Sequence, residues 1–263
     1  MVESKMPGRR PLEPEKRAVV VGASSGIGAA LVKRLAFQGY TVAALARTES
    51  KLRALAESVN ANFPESPRAR VTTYIHDVND TESVRQLFQD IVYELGGLDL
   101  IVYVAGLQLA VNENEFNFDK DRQMIDVNLM GAIAWLNQAA LRFERARSGH
   151  IVGISSIAGD RGRVGSPVYN TSKAALNTYL EALRNRLARR GVTVTTIKPG
   201  FVDTPNLANA SKTFWVISPE DAAAQIYLAI RRKRGTVYVP RRWEIVGLII
   251  RHIPSVIFRW MKF

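Results

Sequence analysis

The 263-residue sequence has no cysteine and only three histidines. Without a thiol, disulfides, thiolate nucleophiles and cysteine-held metals are excluded. His76, His150 and His252 stand at no spacing that ligates zinc, so no metal site is expected. Long apolar runs are scarce as well. Within the bulky C-terminal stretch 243–263, the longest unbroken run covers residues 245–250. That is far short of the roughly 20 residues a membrane-spanning helix needs. Residues 1–17 hold eight charges and three prolines with no apolar core. They read as a flexible tail, not as a leader peptide.

What is present is a folded composition, 47% hydrophobic and 23% charged. The net charge of +12 would suit a nucleic-acid binder, so its location decides the matter. Residues 231–263 carry nine basic side chains against Glu244, and residues 1–17 are net +2. The body from 18 to 230 is left with only +2. No nucleic-acid motif accompanies the excess, and no nucleic-acid partner is expected.

The body alternates strand-like and helix-like stretches, the pattern of a parallel sheet covered by helices on both faces. Strands are expected at 18–21, 41–46, 71–75, 98–104, 151–154, 192–197 and 236–239. Helices are expected at 26–38, 50–59, after a cap at Asp80 or Thr81, at 124–145, at 168–189 and after Pro219. Nothing divides the chain. The expected organisation is the tail 1–17, one catalytic domain 18–240 and a basic amphipathic extension 241–263.

Gly22-Ala23-Ser24-Ser25-Gly26-Ile27-Gly28 lies between the first strand and the first helix. Glycines there let backbone N–H groups approach a pyrophosphate at the helix N-terminus. The second strand ends in Ala46-Arg47 with no acidic residue, so a guanidinium is available for a 2′-phosphate. This favours NADP over NAD. Asp77, before Val78, is placed either against an adenine amino group or as the cap of a turn. Tyr169 and Lys173 lie one helical turn apart at the start of a long helix. A nearby ammonium lowers a phenol pKa that is ordinarily near 10, which makes the pair an acid–base candidate. Ser155-Ser156 closes the fifth strand, thirteen residues upstream of the tyrosine.

On these motifs the chain resembles the short-chain dehydrogenase/reductase family over roughly residues 17–240. The family's glycines fall on Gly22, Gly26 and Gly28, its serine on Ser156, and its tyrosine and lysine on Tyr169 and Lys173. Its helix-interrupting asparagine falls on Asn128. The segment after the sixth strand matches at Pro199-Gly200, with Val202 and Thr204 against the nicotinamide carboxamide. The family's Asn-Asn-Ala-Gly reads Tyr103-Val104-Ala105-Gly106 here, so Val104 cannot brace the sheet as an asparagine would. The threonine that often precedes the first glycine is Val21.

The resemblance implies a single Rossmann-like, doubly wound domain with a mostly parallel seven-stranded sheet. It implies an NADP(H)-dependent oxidoreductase acting on a carbonyl or alcohol carbon, and with nothing in the sequence suggesting export a cytoplasmic location is expected. Ser156 would orient the substrate oxygen, Tyr169 would exchange the proton, Lys173 would lower its pKa and hold the ribose, and Asn128 would support a proton-relay water. A homodimer or homotetramer through the two long helices is also implied. A non-catalytic NADP(H)-binding sensor is the alternative, disfavoured by the intact four-residue set. Two readings of 243–263 stay open. Its tryptophans and interleaved basic and apolar residues suit the surface of an anionic membrane, at the inner face, with a lipid-linked substrate. They equally suit packing at a subunit interface or over the substrate pocket.

Overall fold

The computed structural model describes residues 16–66, 68–209 and 213–261. The expected tail therefore lies outside the described residues except for Lys16 and Arg17, which are already strand. β1 runs Lys16–Val21, followed by α1 (Gly26–Phe37), β2 (Tyr40–Ala46), α2 (Glu49–Asn60) and β3 (Val71–Ile75). Then come α3 (Val84–Glu94), β4 (Leu100–Tyr103), α4 (Phe118–Ile125) and α5 (Gly131–Ala146). The second half holds β5 (Gly149–Ile154), α6 (Pro167–Leu187), β6 (Val192–Pro199), α7 (Pro219–Arg231) and β7 (Thr236–Val239). Two C-terminal helices close the chain, α8 (Trp243–His252) and the single turn α9 (Ser255–Phe258).

All seven strands pair in parallel in the order β3-β2-β1-β4-β5-β6-β7. Strands buried on both sides read as continuous apolar runs, and Ala18–Val21 is at most 1% exposed. Alternate residues of each strand feed two cores. Val20, Val42, Val102 and Ile197 pack under α1, α2 and α7. Val19, Ala43, Ile101 and Ile151 pack under α3, α5 and α6. The fold is doubly wound, and β1 sits at the point where strand order reverses.

Three departures from the expected elements have physical reasons. α3 begins at Val84, because Asp80 spends its carboxylate on the Ser83 N–H at 3.3 Å and closes a turn before the helix. α4 was not expected; its polar, strongly charged sequence gives little apolar periodicity, yet Asn117 caps it by accepting from Lys120 N. The expected continuous helix 124–145 is broken by a π-turn at Asp126–Met130. A π-turn frees one backbone carbonyl. Here the buried Tyr103 hydroxyl donates to the Val127 carbonyl at 2.6 Å.

Candidate active site

In an open α/β sheet, ligands bind at the carboxyl ends of the strands beside the switch point. A cavity of about 1150 Å³ lies there, bounded by the ends of β1, β4, β5 and β6 and roofed by α8. Pockets for one drug-sized ligand span roughly 300–1,000 Å³, and this one lies just above that range.

Gly22, Ser24, Ser25, Gly26, Ile27 and Gly28 line one end. At Gly22, φ is +96°, and a Cβ would lie 2.4 Å from the Ala105 nitrogen. At Gly28 a Cβ would meet the Gly22 carbonyl at 2.0 Å. The turn can close only without side chains at these two places. Ser25 leads into α1 with no side-chain cap, so the first-turn N–H groups stay available to an anion. Arg47 lines the same end, largely exposed, with Asp77 at 3.7 Å. Asp77 itself does not line the cavity, although His76 and Val78 do. Its carboxylate accepts from Asn79 N at 3.0 Å, which is the turn-closing role. Ala105, Gly106, Pro199, Gly200, Val202 and Thr204 complete the wall. Two side-chain amides cross between its halves. Asn206 donates to the Gly106 carbonyl at 3.1 Å, and Asn209 to the Gln108 carbonyl at 2.7 Å.

At the centre, α6 carries Tyr169 and Lys173 into the cavity, with Ser156 opposite at the end of β5. Lys173 is buried and its ammonium donates to the Ile154 carbonyl at 3.2 Å. Burial lowers its pKa to about 8. Asn128, fully buried in the π-turn, accepts from Leu107 N and donates to the Leu107 carbonyl and the Ser172 hydroxyl. Ser156 also accepts from Ala158 N, and Ser155 turns inward to the Lys173 carbonyl.

The expected cause of a lowered Tyr169 pKa needs correction. Burial dominates and raises it above the ordinary phenol value. What pulls it down is a hydrogen bond with Ser156 and the nearby Arg163 guanidinium. The Lys173 amine, 5.9 Å from the ring centroid, directs itself at a backbone carbonyl. Arg163 is thus the residue that motif reading missed. It lies outside every matched motif, and no sequence spacing pointed to it.

The far end is apolar. Phe201, Phe214 and Trp243 pack with centroids 5.1–5.5 Å apart, and Val246, Ile249, Ile250 and Ile253 extend that wall. α8 is fixed over the cavity by the segment following Ser156. Buried Asp160 pairs with Lys198 at 2.5 Å and accepts from the Tyr238 hydroxyl at 2.6 Å. Gly247 lets α8 approach both groups. Arg161 donates to the Ile250 and Ile253 carbonyls and the Ser255 hydroxyl, and lies over the Phe258 ring. The inner face of α8 therefore packs over the pocket, one of the two arrangements left open. The outer face, with Ile245, Leu248, Val256, Ile257 and Trp260, remains exposed.

The short chain dehydrogenase family model matches residues 16–214. An uncharacterized oxidoreductase of Staphylococcus saprophyticus is 36% identical over 222 residues, covering 83% of this chain and 92% of the relative. Among solved structures, actinorhodin polyketide ketoreductase with NADPH superposes with a TM-score of 0.77 at 24% identity, covering 86% of this chain and 95% of that one. ElxO with NADP gives 0.72 at 24% identity, covering 82% and 91%. Likeness at that identity establishes a shared fold.

Proposed function

The chain belongs to the short-chain dehydrogenase family of oxidoreductases, and from that premise we propose that it is an NADPH-dependent reductase of an apolar carbonyl compound. One observation carries the reading: Ser156, Tyr169 and Lys173 converge in a cavity whose other end is a glycine turn facing an uncapped helix N-terminus.

A bound NADPH would supply the hydride. Its pyrophosphate suits the α1 N-terminus, its 2′-phosphate suits Arg47, and its ribose suits Lys173; Ala105, Gly106, Pro199, Gly200, Val202 and Thr204 suit the remaining contacts. Ser156 and Tyr169 hold the substrate oxygen between two hydroxyls, which fixes the carbonyl carbon in place. The Tyr169 phenol, raised by burial above its ordinary value, is protonated at neutral pH and can donate. The proton passes from the Tyr169 hydroxyl to the substrate oxygen. Lys173 and the π-turn at Asn128 supply the polar path along which the phenol is reprotonated.

The apolar end selects the rest of the substrate. Outside the pocket, the exposed face of α8 and α9 places Arg241, Arg242, Arg251 and Arg259 among Ile245, Leu248, Val256, Ile257 and Trp260. We read it as a surface that rests on an anionic membrane, with lipid-like substrates entering beside α8.

The test is NADPH consumption against a panel of medium-chain ketones, with NADH in parallel. Tyr169→Phe is expected to lower turnover by about 10²–10⁴-fold while NADPH still binds. Full turnover by that variant, or equal use of NADH, would contradict the reading.

A further inference from the structure

The cavity holds three cations near its polar atoms, and the proposed reaction uses only two. Arg47 is allotted to the cofactor's 2′-phosphate and Lys173 to its ribose. Arg163 has no task. It lies on the segment between Ser156 and α6, and lines the cavity beside Tyr169.

Its surroundings are unusual for an arginine. No carboxylate pairs with it among the described residues. Its Nε is buried without a hydrogen-bond partner, and one terminal nitrogen reaches only the Asn170 amide oxygen at 3.5 Å. The acidic residue lining the cavity, Glu113, is exposed on a different loop. Arg163 as a whole is only partly buried, so its terminal nitrogens, not the shielded Nε, are the donors a ligand in the cavity can reach.

The position is nevertheless built. Asn170, buried next to the catalytic tyrosine, donates to the Arg163 and Gly165 carbonyls and ties this loop to α6. Neighbouring Arg161 is committed to α8 and α9, which anchors the other side of the segment. A planar fork of donors with no carboxylate beside it, on a loop tied to α6, matches the geometry of a carboxylate or phosphate.

We propose that Arg163 is an anion subsite for the substrate, which carries a phosphate or carboxylate close to its reacting oxygen and an apolar chain extending toward α8. The inference rests on the oxidoreductase reading only for which oxygen reacts; the subsite itself rests on Arg163. The ligand class is an anionic amphiphile, with its charge beside Tyr169 and its hydrocarbon against Val246, Ile249 and Ile250.

The experiment compares binding of decyl phosphate, decanoate and decanol by calorimetry, below their micelle concentrations, to the full chain with and without saturating NADP. At least one anion is expected to bind tenfold or more tightly than decanol. The stronger of the two tells phosphate from carboxylate. Arg163→Gln is expected to erase that preference and leave decanol binding unchanged, which also reports that the variant is folded. Arg163→Met takes its place if decanol binding is lost. Equal affinities in the unaltered chain, or a preference that survives loss of the guanidinium, overturn the proposal. NADPH fluorescence is read separately. Failure to bind NADPH strikes the oxidoreductase reading and leaves the comparison of the three alkyl probes intact.

Discussion

Burial acts on single residues here with opposite consequences for different groups. It holds Tyr169 protonated and at the same time makes the Lys173 ammonium easier to deprotonate. His150, far from the cavity, reports the same physics as stability. The Thr195 hydroxyl donates to the Arg234 carbonyl, so it accepts from His150 Nε2 at 2.8 Å and leaves the other ring nitrogen bare. Burial, with Lys233 nearby, lowers this imidazole to about 4 from 6.5. Above pH 6.5 neither the folded nor the unfolded chain is charged at this site. Between 6.5 and 4 the unfolded chain takes up the proton first, so stability falls on acidification and the loss is complete below 4. The loss is on the order of 3 kcal/mol. Urea unfolding of His150→Gln should show a shallower decline across that interval than the unaltered chain. An identical decline would remove the assignment.

At the scale of elements, legibility followed apolar periodicity. All seven strands and most helices were readable because their inward residues repeat at the spacing of a two-faced core. α4 was missed because only Met124 among its residues is buried. Periodicity alone hides the π-turn, because Asp126–Met130 continues the helical pattern on both sides, whereas the family resemblance places a helix-interrupting asparagine at Asn128. Its stabilising partner, Tyr103, is distant in sequence and was noted only as a departure from the family. The site residues were legible where a motif fixes their spacing. Arg163 was not, since its role depends on a loop folding against Asn170. The attachment of α8 is similarly tertiary. Arg161 satisfies carbonyls at the α8 C-terminus, and charged hydrogen bonds of this kind contribute about 1.5–3 kcal/mol. Arg161→Gln is therefore expected to speed amide hydrogen exchange in α8 by about ten- to a hundredfold. Exchange in α6 should stay unchanged, and equal acceleration in both helices would argue against a local attachment.

For the molecule as a whole, charge and exposed hydrocarbon are concentrated at one end. The 263 residues carry +12, and 231–263 supply +8 of it. No described helix is long and apolar enough to cross a membrane, so contact with lipid would be made along a surface. Co-sedimentation with vesicles of phosphatidylcholine containing about one third phosphatidylglycerol tests the proposed docking face. Binding is expected to fall when salt is raised to 0.5 M, where screening shortens to a few ångströms. It is also expected to fall when Arg241, Arg242, Arg251 and Arg259 are replaced by glutamine. Equal binding to uncharged vesicles, or a face covered by a second copy in sedimentation velocity, would count against it.

Two asparagine amides join opposite walls of the cleft, and they bear on how its two ends are held. With Asn206 and Asn209 fastened to the Gly106 and Gln108 carbonyls, the segment after β6 is held across the glycine-turn end of the cavity, while Arg161 and Arg242 hold α8 across the other.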